Sequence, residues 1–342
     1  MKGKKRKRGR DRAWTPDDPD TPTRELRSHR RRAVAPPETQ AAPEDLFADI
    51  QGNATVVSPY GVLAYVQADG EEHLARVDNA LVDGKTSILA PGDEVLVAFD
   101  EDQPTVTAVA RRRSELRRPS VSGGRDHVVA ANLDLLVVVA AAKEPPFRPG
   151  LVDRYLVAAG VGGIPTALCV NKMDLVKAEP AAVAPYRELG LSVVNTSCKT
   201  GAGLADLREL LQGKLAVLAG HSGVGKSSLV NALAPDLDLP TQDITRARRG
   251  RHTTSSSRLY EIGDGARLID TPGIRQMGLS EVTRDELDAY FDEIAMAAAG
   301  CRFRDCGHLR EPGCAVRHAV ECGEIARARY ESYRRIRDTL DA

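Results

Sequence analysis

Three short segments constrain this chain most strongly: Asn171-Lys172-Met173-Asp174, then Gly220-His221-Ser222-Gly223-Val224-Gly225-Lys226-Ser227, then Asp270-Thr271-Pro272-Gly273. Each follows an apolar, strand-like run, at 166–170, 215–219 and 266–269. Further strands are expected at 133–139 and 191–194, with helices at 150–159, around 183–189, at 204–211 and at 227–233. Such alternation predicts an α/β unit with a mostly parallel sheet. The three segments then lie beyond the carboxyl ends of strands, where open α/β sheets bind ligands.

The glycine-rich octapeptide has the chemistry of a phosphate loop. Its glycines let backbone N–H groups curl around phosphate oxygens, and the helix that follows points its positive end at them. Lys226 would reach the β- and γ-phosphates, Ser227 would ligate Mg²⁺, and Ser228 continues the contact surface. Asp174 can accept from both the ring N–H and the exocyclic amine of guanine, whereas adenine offers neither there, so a buried acceptor rejects it. Lys172 would cover the base, Met173 sits between them, and Asn171 would tie this loop to the phosphate loop. Thr196-Ser197-Cys198-Lys199, after the strand at 191–194, fits a companion base-contacting loop, with Cys198 where Ala is more usual. Asp270 would hold Mg²⁺ through water, and the Gly273 N–H would sense the γ-phosphate.

The order of these segments is rotated. In the usual guanine-nucleotide domain the phosphate loop comes first and the base-reading loop follows the metal-binding one, so the chain reads as a circularly permuted P-loop GTPase domain. Between 235 and 257 lies a polar segment containing Arg251-His252-Thr253-Thr254. It fits a switch whose Thr254, or alternatively Thr253, completes the Mg²⁺ shell. The neighbouring Arg246, Arg248, Arg249 and Arg251 are either a solvated loop or an RNA-phosphate contact. Ile274 follows Gly273 where many GTPases carry a glutamine that orients water. Slow intrinsic hydrolysis is therefore expected, accelerated by a partner, with His252 either positioning water or remaining an ordinary loop histidine. Lys226, Asp270, Thr254 and His252 are the candidate catalytic residues. Because the segment at 270–273 ends the nucleotide domain, the nucleotide state is expected to reorient residues 281–342.

At 342 residues the chain is long enough for two or three domains. Four regions are expected: a disordered basic tail at 1–45, a barrel at 46–117, the permuted GTPase domain at 118–280 and a zinc-binding, helical region at 281–342. Its formal net charge of +0 conceals thirteen Lys/Arg against five Asp/Glu between residues 2 and 32. A tail of about +8 on an acidic body suits a polyanionic partner, although solvated charge or a nuclear address would look the same. The longest apolar run, 133–142, is short and contains Asp134, and no signal peptide is evident, so a cytoplasmic protein without membrane contact is expected.

Residues 50–110 alternate with the strand period at 55–57, 61–66, 74–77, 93–98 and 105–109. Five short strands predict a small closed barrel, an OB-fold or an SH3-like one, serving nucleic acid or acting as a spacer. Among six cysteines, Cys301-x4-Cys306-x-His308-x5-Cys314 supplies three thiolates and an imidazole, enough for one structural Zn²⁺. His318 and Cys322 are nearby competitors with poorer spacing, and Cys169 belongs to a strand. Arg327, Arg329, Arg334, Arg335 and Arg337 form a basic helical face that either touches RNA or is solvated.

The motif order, Gly250-Arg251-His252-Thr253-Thr254 and the stretch Cys301-Arg302-Phe303-Arg304-Asp305-Cys306-Gly307-His308 through Glu311-Pro312-Gly313-Cys314 resemble the ribosome small-subunit-dependent GTPase A family of bacteria. The resemblance covers roughly residues 50–335. It implies an N-terminal OB-fold, a permuted GTPase domain and a C-terminal zinc domain, acting late in maturation of the small ribosomal subunit and binding its rRNA. Departures are Ser255 where a third threonine is common, Cys198 and the long basic tail. A monomer that hydrolyses GTP is expected; the alternative is an RNA-binding scaffold with a structural guanine nucleotide. Asp174 disfavours an ATP-dependent kinase.

Overall fold

The computed structural model describes residues 46–83, 86–100, 103–118, 127–235, 257–270, 279 and 282–340. The first region is built from β1 (Phe47–Ala48), β2 (Ala54–Tyr60), β3 (Leu63–Ala68), β4 (Glu71–Val77), the short pair β5 (Val82–Asp83) and β6 (Thr86–Ser87), β7 (Glu94–Ala98) and β8 (Thr105–Ala110). Hydrogen bonding runs β2-β3-β4-β8-β7 and returns from β7 to β2, so five strands close a barrel, with β1 added along β8. The β4–β8 pair is parallel and the other barrel pairs are antiparallel. That order is the OB-fold arrangement, which removes the SH3-like alternative. Alternation along each strand sends Val56, Ala64, Val66, Ala75, Val95, Val106 and Val109 inward, all fully buried. Valine and alanine fill the middle of the barrel, and Leu81 and Leu89 complete its core.

An unanticipated hairpin, β9 (Glu115–Arg118) with β10 (His127–Ala131), leads from the barrel into the central sheet. The junction is polar and buried. Arg112 makes a two-point pair with Asp93, at 2.7 and 2.8 Å, and Asn132 donates to the Gly92 carbonyl.

The central sheet comprises β11 (Leu135–Ala141), β12 (Thr166–Asn171), β13 (Ser192–Asn195), β14 (Leu215–Ala219), β15 (Arg258–Gly263) and β16 (Ala266–Asp270). Its order is β13-β12-β11-β14-β16-β15, parallel except for β15. The edge strand β15 was not anticipated from the sequence, because its buried Leu259 and Ile262 stand three positions apart across a register shift and break the strand period. The helices are α1 (Pro149–Val161), α2 (Ala184–Glu188), α3 (Leu204–Leu211) and α4 (Lys226–Leu233). Every residue of β11 and β14 is buried, as expected for strands covered on both faces.

The last region contains α5 (Asp292–Ala298), α6 (Ala315–Cys322) and α7 (Arg327–Arg337). Its apolar residues Phe291, Val316, Tyr333 and Ile336 join one core with Val152, Tyr155 and Leu168 of the central region. The expected basic face of α7 needs one correction: Arg329 is buried, not solvent- or RNA-facing. It donates to Asp153 of α1 at 2.6 Å and grips Glu293 of α5 through two nitrogens, at 2.7 and 3.1 Å. The Phe291 ring lies 4.5 Å from its guanidinium. Among the described residues, no helix is long and apolar enough to cross a membrane.

Candidate guanine-nucleotide and metal sites

The phosphate loop connects β14 to α4, and two of its glycines are required by close approach. A Cβ on Gly220 would stand 2.1 Å from the Val139 carbonyl oxygen, and one on Gly225 would stand 2.4 Å from Asn171 Nδ2. Gly223 and Gly225 both have positive φ, which turns successive N–H groups to the same side. Val224 is buried beneath the loop. Lys226 Nζ donates to the Gly220 and His221 carbonyls at 2.8 and 3.0 Å, lying across the cradle it would share with phosphate. Ser227 and Ser228 occupy the first turn of α4, while His221 is exposed at the rim and bonds the Ser222 carbonyl.

The base-reading loop is joined to this cradle. Asn171, the last residue of β12, is buried and donates from Nδ2 to the Val224 carbonyl at 2.9 Å. Thr196 Oγ1 donates to Asn171 Oδ1 at 3.1 Å, fixing the orientation of the amide. Lys172 adopts left-handed φ and donates to the Glu144 carbonyl. Met173 takes the Thr196 carbonyl through its N–H at 3.1 Å. Asp174 is exposed, and its Oδ1 accepts from buried Ser197 Oγ at 2.7 Å, which aims the carboxylate. Cys198 Sγ is 3.8 Å from Asn171 Oδ1, and Lys199 is exposed beyond it. Cys169 is a core residue, its thiol pushed up to about 12 by burial.

Asp270 closes β16 beside the phosphate loop. Desolvation raises its carboxyl above the ordinary value, and the Lys226 ammonium opposes that rise. Gly273, His252, Thr253 and Thr254, and the arginines from Arg246 to Arg251, lie outside the described residues. The sequence placed Thr196 in the companion base loop, but nothing local shows that its hydroxyl orients Asn171.

The Cys301, Cys306, His308 and Cys314 ligand atoms all lie within 4.8 Å of one another, without His318 or Cys322. Cys301 Sγ is 3.9 Å from Cys314 Sγ, and His308 Nδ1 is 3.5 and 3.4 Å from those two sulfurs. A tetrahedron with Zn–S bonds of about 2.3 Å has edges of about 3.8 Å, so the donor set fits zinc. His308 Nε2 faces Asp288 Oδ2 at 2.9 Å, which leaves Nδ1 to the metal; Tyr333 donates to the other Asp288 oxygen at 2.6 Å. Asp288 is twenty positions upstream of His308 and carries no spacing signal. Glu311 ties the knuckle by accepting from the N–H groups of Gly307, Leu309 and Arg310. Desolvation would raise its carboxyl, but these amides hold it down at about 2. Cys314 caps α6, its sulfur accepting from the Arg317 N–H.

A parallel sheet with a phosphate loop after β14, a base loop bonded to it from β12 and an acidic strand end at β16, met in that rotated order, defines a circularly permuted GTPase. The family described as RsgA GTPase matches residues 109–280. The chain is 41% identical over 288 residues to the small ribosomal subunit biogenesis GTPase RsgA of Pseudomonas putida, covering 82% of this chain and 83% of that protein. With the protein of the same name from Azotobacter vinelandii, identity is 38% over 324 residues, covering 92% and 94%. Of solved structures, YjeQ from Thermotoga maritima superposes with a TM-score of 0.67 at 32% identity, covering 84% of this chain and 97% of that one. YloQ, described as a circularly permuted GTPase, gives 0.65 at 27% identity, covering 85% and 95%. The chain belongs to the RsgA GTPase family.

Proposed function

We propose that this GTPase converts GTP to GDP and phosphate as a late maturation factor of the small (30S) ribosomal subunit. It binds rRNA, is stimulated by the subunit and leaves after hydrolysis, acting as a cytoplasmic monomer. The relatives named above carry small-subunit biogenesis in their names, which supports the partner. The observation that carries the nucleotide reading is the Asn171–Val224 hydrogen bond, which locks the base loop to the phosphate loop so that one ligand meets both. We assign the barrel to 46–117, the nucleotide domain to 118–280 and the zinc region to 281–342, with the basic tail at 1–45.

In this site Asp174, aimed by Ser197, selects guanine, while Lys172 covers the base and Asn171 fixes the loop. Lys226 leaves the Gly220 and His221 carbonyls for the phosphates, whose oxygens meet the backbone N–H groups of the loop through Ser228. Ser227 and Thr254 would hold Mg²⁺, with Asp270 behind water and the Gly273 N–H toward the γ-phosphate. Bound there, the metal neutralises charge developing on the phosphates. Cys301, Cys306, His308 and Cys314 would hold one structural Zn²⁺. Since Ile274 cannot orient water, His252 takes that role when the subunit binds. GTP turnover with and without purified small subunits is the test, and a large rise is expected. No rise would favour a scaffold with a structural nucleotide, and unchanged stimulated turnover in His252→Ala would remove that histidine from the mechanism.

A further inference from the structure

The barrel and the nucleotide sheet meet along β15. Arg258, its first residue, stands opposite Asp270 in the antiparallel ladder, which continues to Gly263 opposite Ala266. Arg258 Nη2 reaches Glu72 Oε2 of β4 at 2.6 Å, and its guanidinium lies 5.6 Å from the Tyr65 ring centre and 5.9 Å from that of Tyr260. Two hydrogen bonds flank this clasp. Ser58 Oγ donates to the Ser257 carbonyl and Gln67 Nε2 donates to Glu261 Oε1, each at 3.0 Å. Strands β2, β3 and β4 thus hold the beginning of β15, four positions after Thr254 in sequence. Tyr65 pairs with Leu74 on the outer barrel surface, and both are over a third exposed. That is the face of the second and third strands through which OB-folds bind oligonucleotides.

We propose that Arg258 is a positioning residue for GTP hydrolysis: through Glu72 and Tyr65 it makes the placement of β15, and of the Asp270 strand end opposite it, depend on what occupies the outer barrel face. This rests on the reading of the chain as a GTPase stimulated by small-subunit rRNA. An RNA strand crossing β3 and β4 stacks a base on Tyr65 and offers a phosphate that competes with Glu72 for the guanidinium. The exchange is easy because both side chains of the clasp are over a third exposed, where ion pairs contribute little net stability. Its effect reaches the site because β15 and β16 are one hydrogen-bonded ladder.

The test is the ratio of GTP turnover with saturating small subunits to turnover without them, for wild type, Arg258→Ala, Glu72→Ala and the double variant. Arg258→Ala is expected to lower that ratio by about three- to fivefold, in line with the strength of one exposed clasp. Glu72→Ala lowers it less, and the double variant matches Arg258→Ala because the two residues share one contact. Arg258→Lys, which keeps the charge but not the planar fork, falls between, and serves if the alanine variant folds poorly. An undiminished ratio in Arg258→Ala, or losses that multiply in the double variant, overturns the proposal. A wild type that subunits fail to stimulate overturns the functional reading beneath it, a result distinct from loss confined to the variants.

Discussion

Two arginines join the nucleotide sheet to its neighbours, and they sit in opposite surroundings. The Arg329 side chain is 5% exposed and faces two carboxylates, one of them fully buried; the Arg258 side chain is 35% exposed and faces Glu72, itself 38% exposed. Taking Arg329 out of water is costly, so the pair is held only while both acids and the Phe291 ring remain in place. Arg258 loses little by exchanging partners. The C-terminal side is therefore held by a buried ion-pair cluster, and the β15 edge of the barrel contact by an exchangeable one that lies apart from the buried Arg112–Asp93 junction. A nucleotide-driven turn of residues 281–342 would have to break the Arg329 cluster or carry α1 with it. That matters at the nucleotide site because α1 also supplies Val152 and Tyr155 to a partly open apolar pocket shared with His221 and Val224 of the phosphate loop.

The contrast can be broken most severely at the Cys301, Cys306, His308 and Cys314 cluster. Cys301→Ser should abolish zinc retention by metal analysis and deprotect α5 to α7 in hydrogen exchange while leaving the barrel protected. Sites of this type supply on the order of 10 kcal/mol in isolated zinc-finger peptides, more than any ion pair here. Undisturbed α7 protection would show that the buried cluster stands without the metal. Next, Arg329→Ala strands Asp153 and Glu293 and should lower unfolding free energy in urea by about 3–5 kcal/mol. A loss near that of a surface variant would refute the holding role of the buried cluster.

Asp153→Asn is the sharper probe. Burial pushes the Asp153 carboxyl above its ordinary value, although Arg329, Ser332 and Tyr186 pull it down. A neutral amide therefore gives up less than the arginine does, and Glu293 still holds Arg329. The expected loss in urea is about 1–2 kcal/mol, the scale of one disturbed buried hydrogen bond. Glu72→Ala should cost least, under about 0.5 kcal/mol, and the difference should shrink further in high salt. A salt-independent loss as large as that of Arg329→Ala would erase the distinction between the two contacts.

Local spacing made much of the site legible. The loop from Gly220 to Ser227 could be recognised because glycines at fixed offsets before a lysine and a serine are needed wherever backbone amides wrap phosphate. Barrel strands were visible because alternate residues point to opposite faces. The hairpin of β9 and β10 was missed because neither strand alternates apolar with polar residues, and β15 because a register shift after Glu261 leaves its buried Leu259 and Ile262 three positions apart. Arg329 was misplaced because an arginine reads as surface until two carboxylates from other helices are brought to it.

The sequence alone determined the candidate chemistry: which loop is suited to phosphate, which carboxylate to guanine, which four side chains to zinc, and the rotated order that joins them. Those properties depend on residue type and on offsets of a few positions. Tertiary structure decided the partnerships: Thr196 on Asn171, Asp288 on His308, Arg329 between two acids, and Arg258 opposite Asp270 with its guanidinium on the barrel. They connect residues from 12 to 186 positions apart. Only strand register and helix packing bring such residues within hydrogen-bonding distance, and their spacing in the chain carries no trace of it.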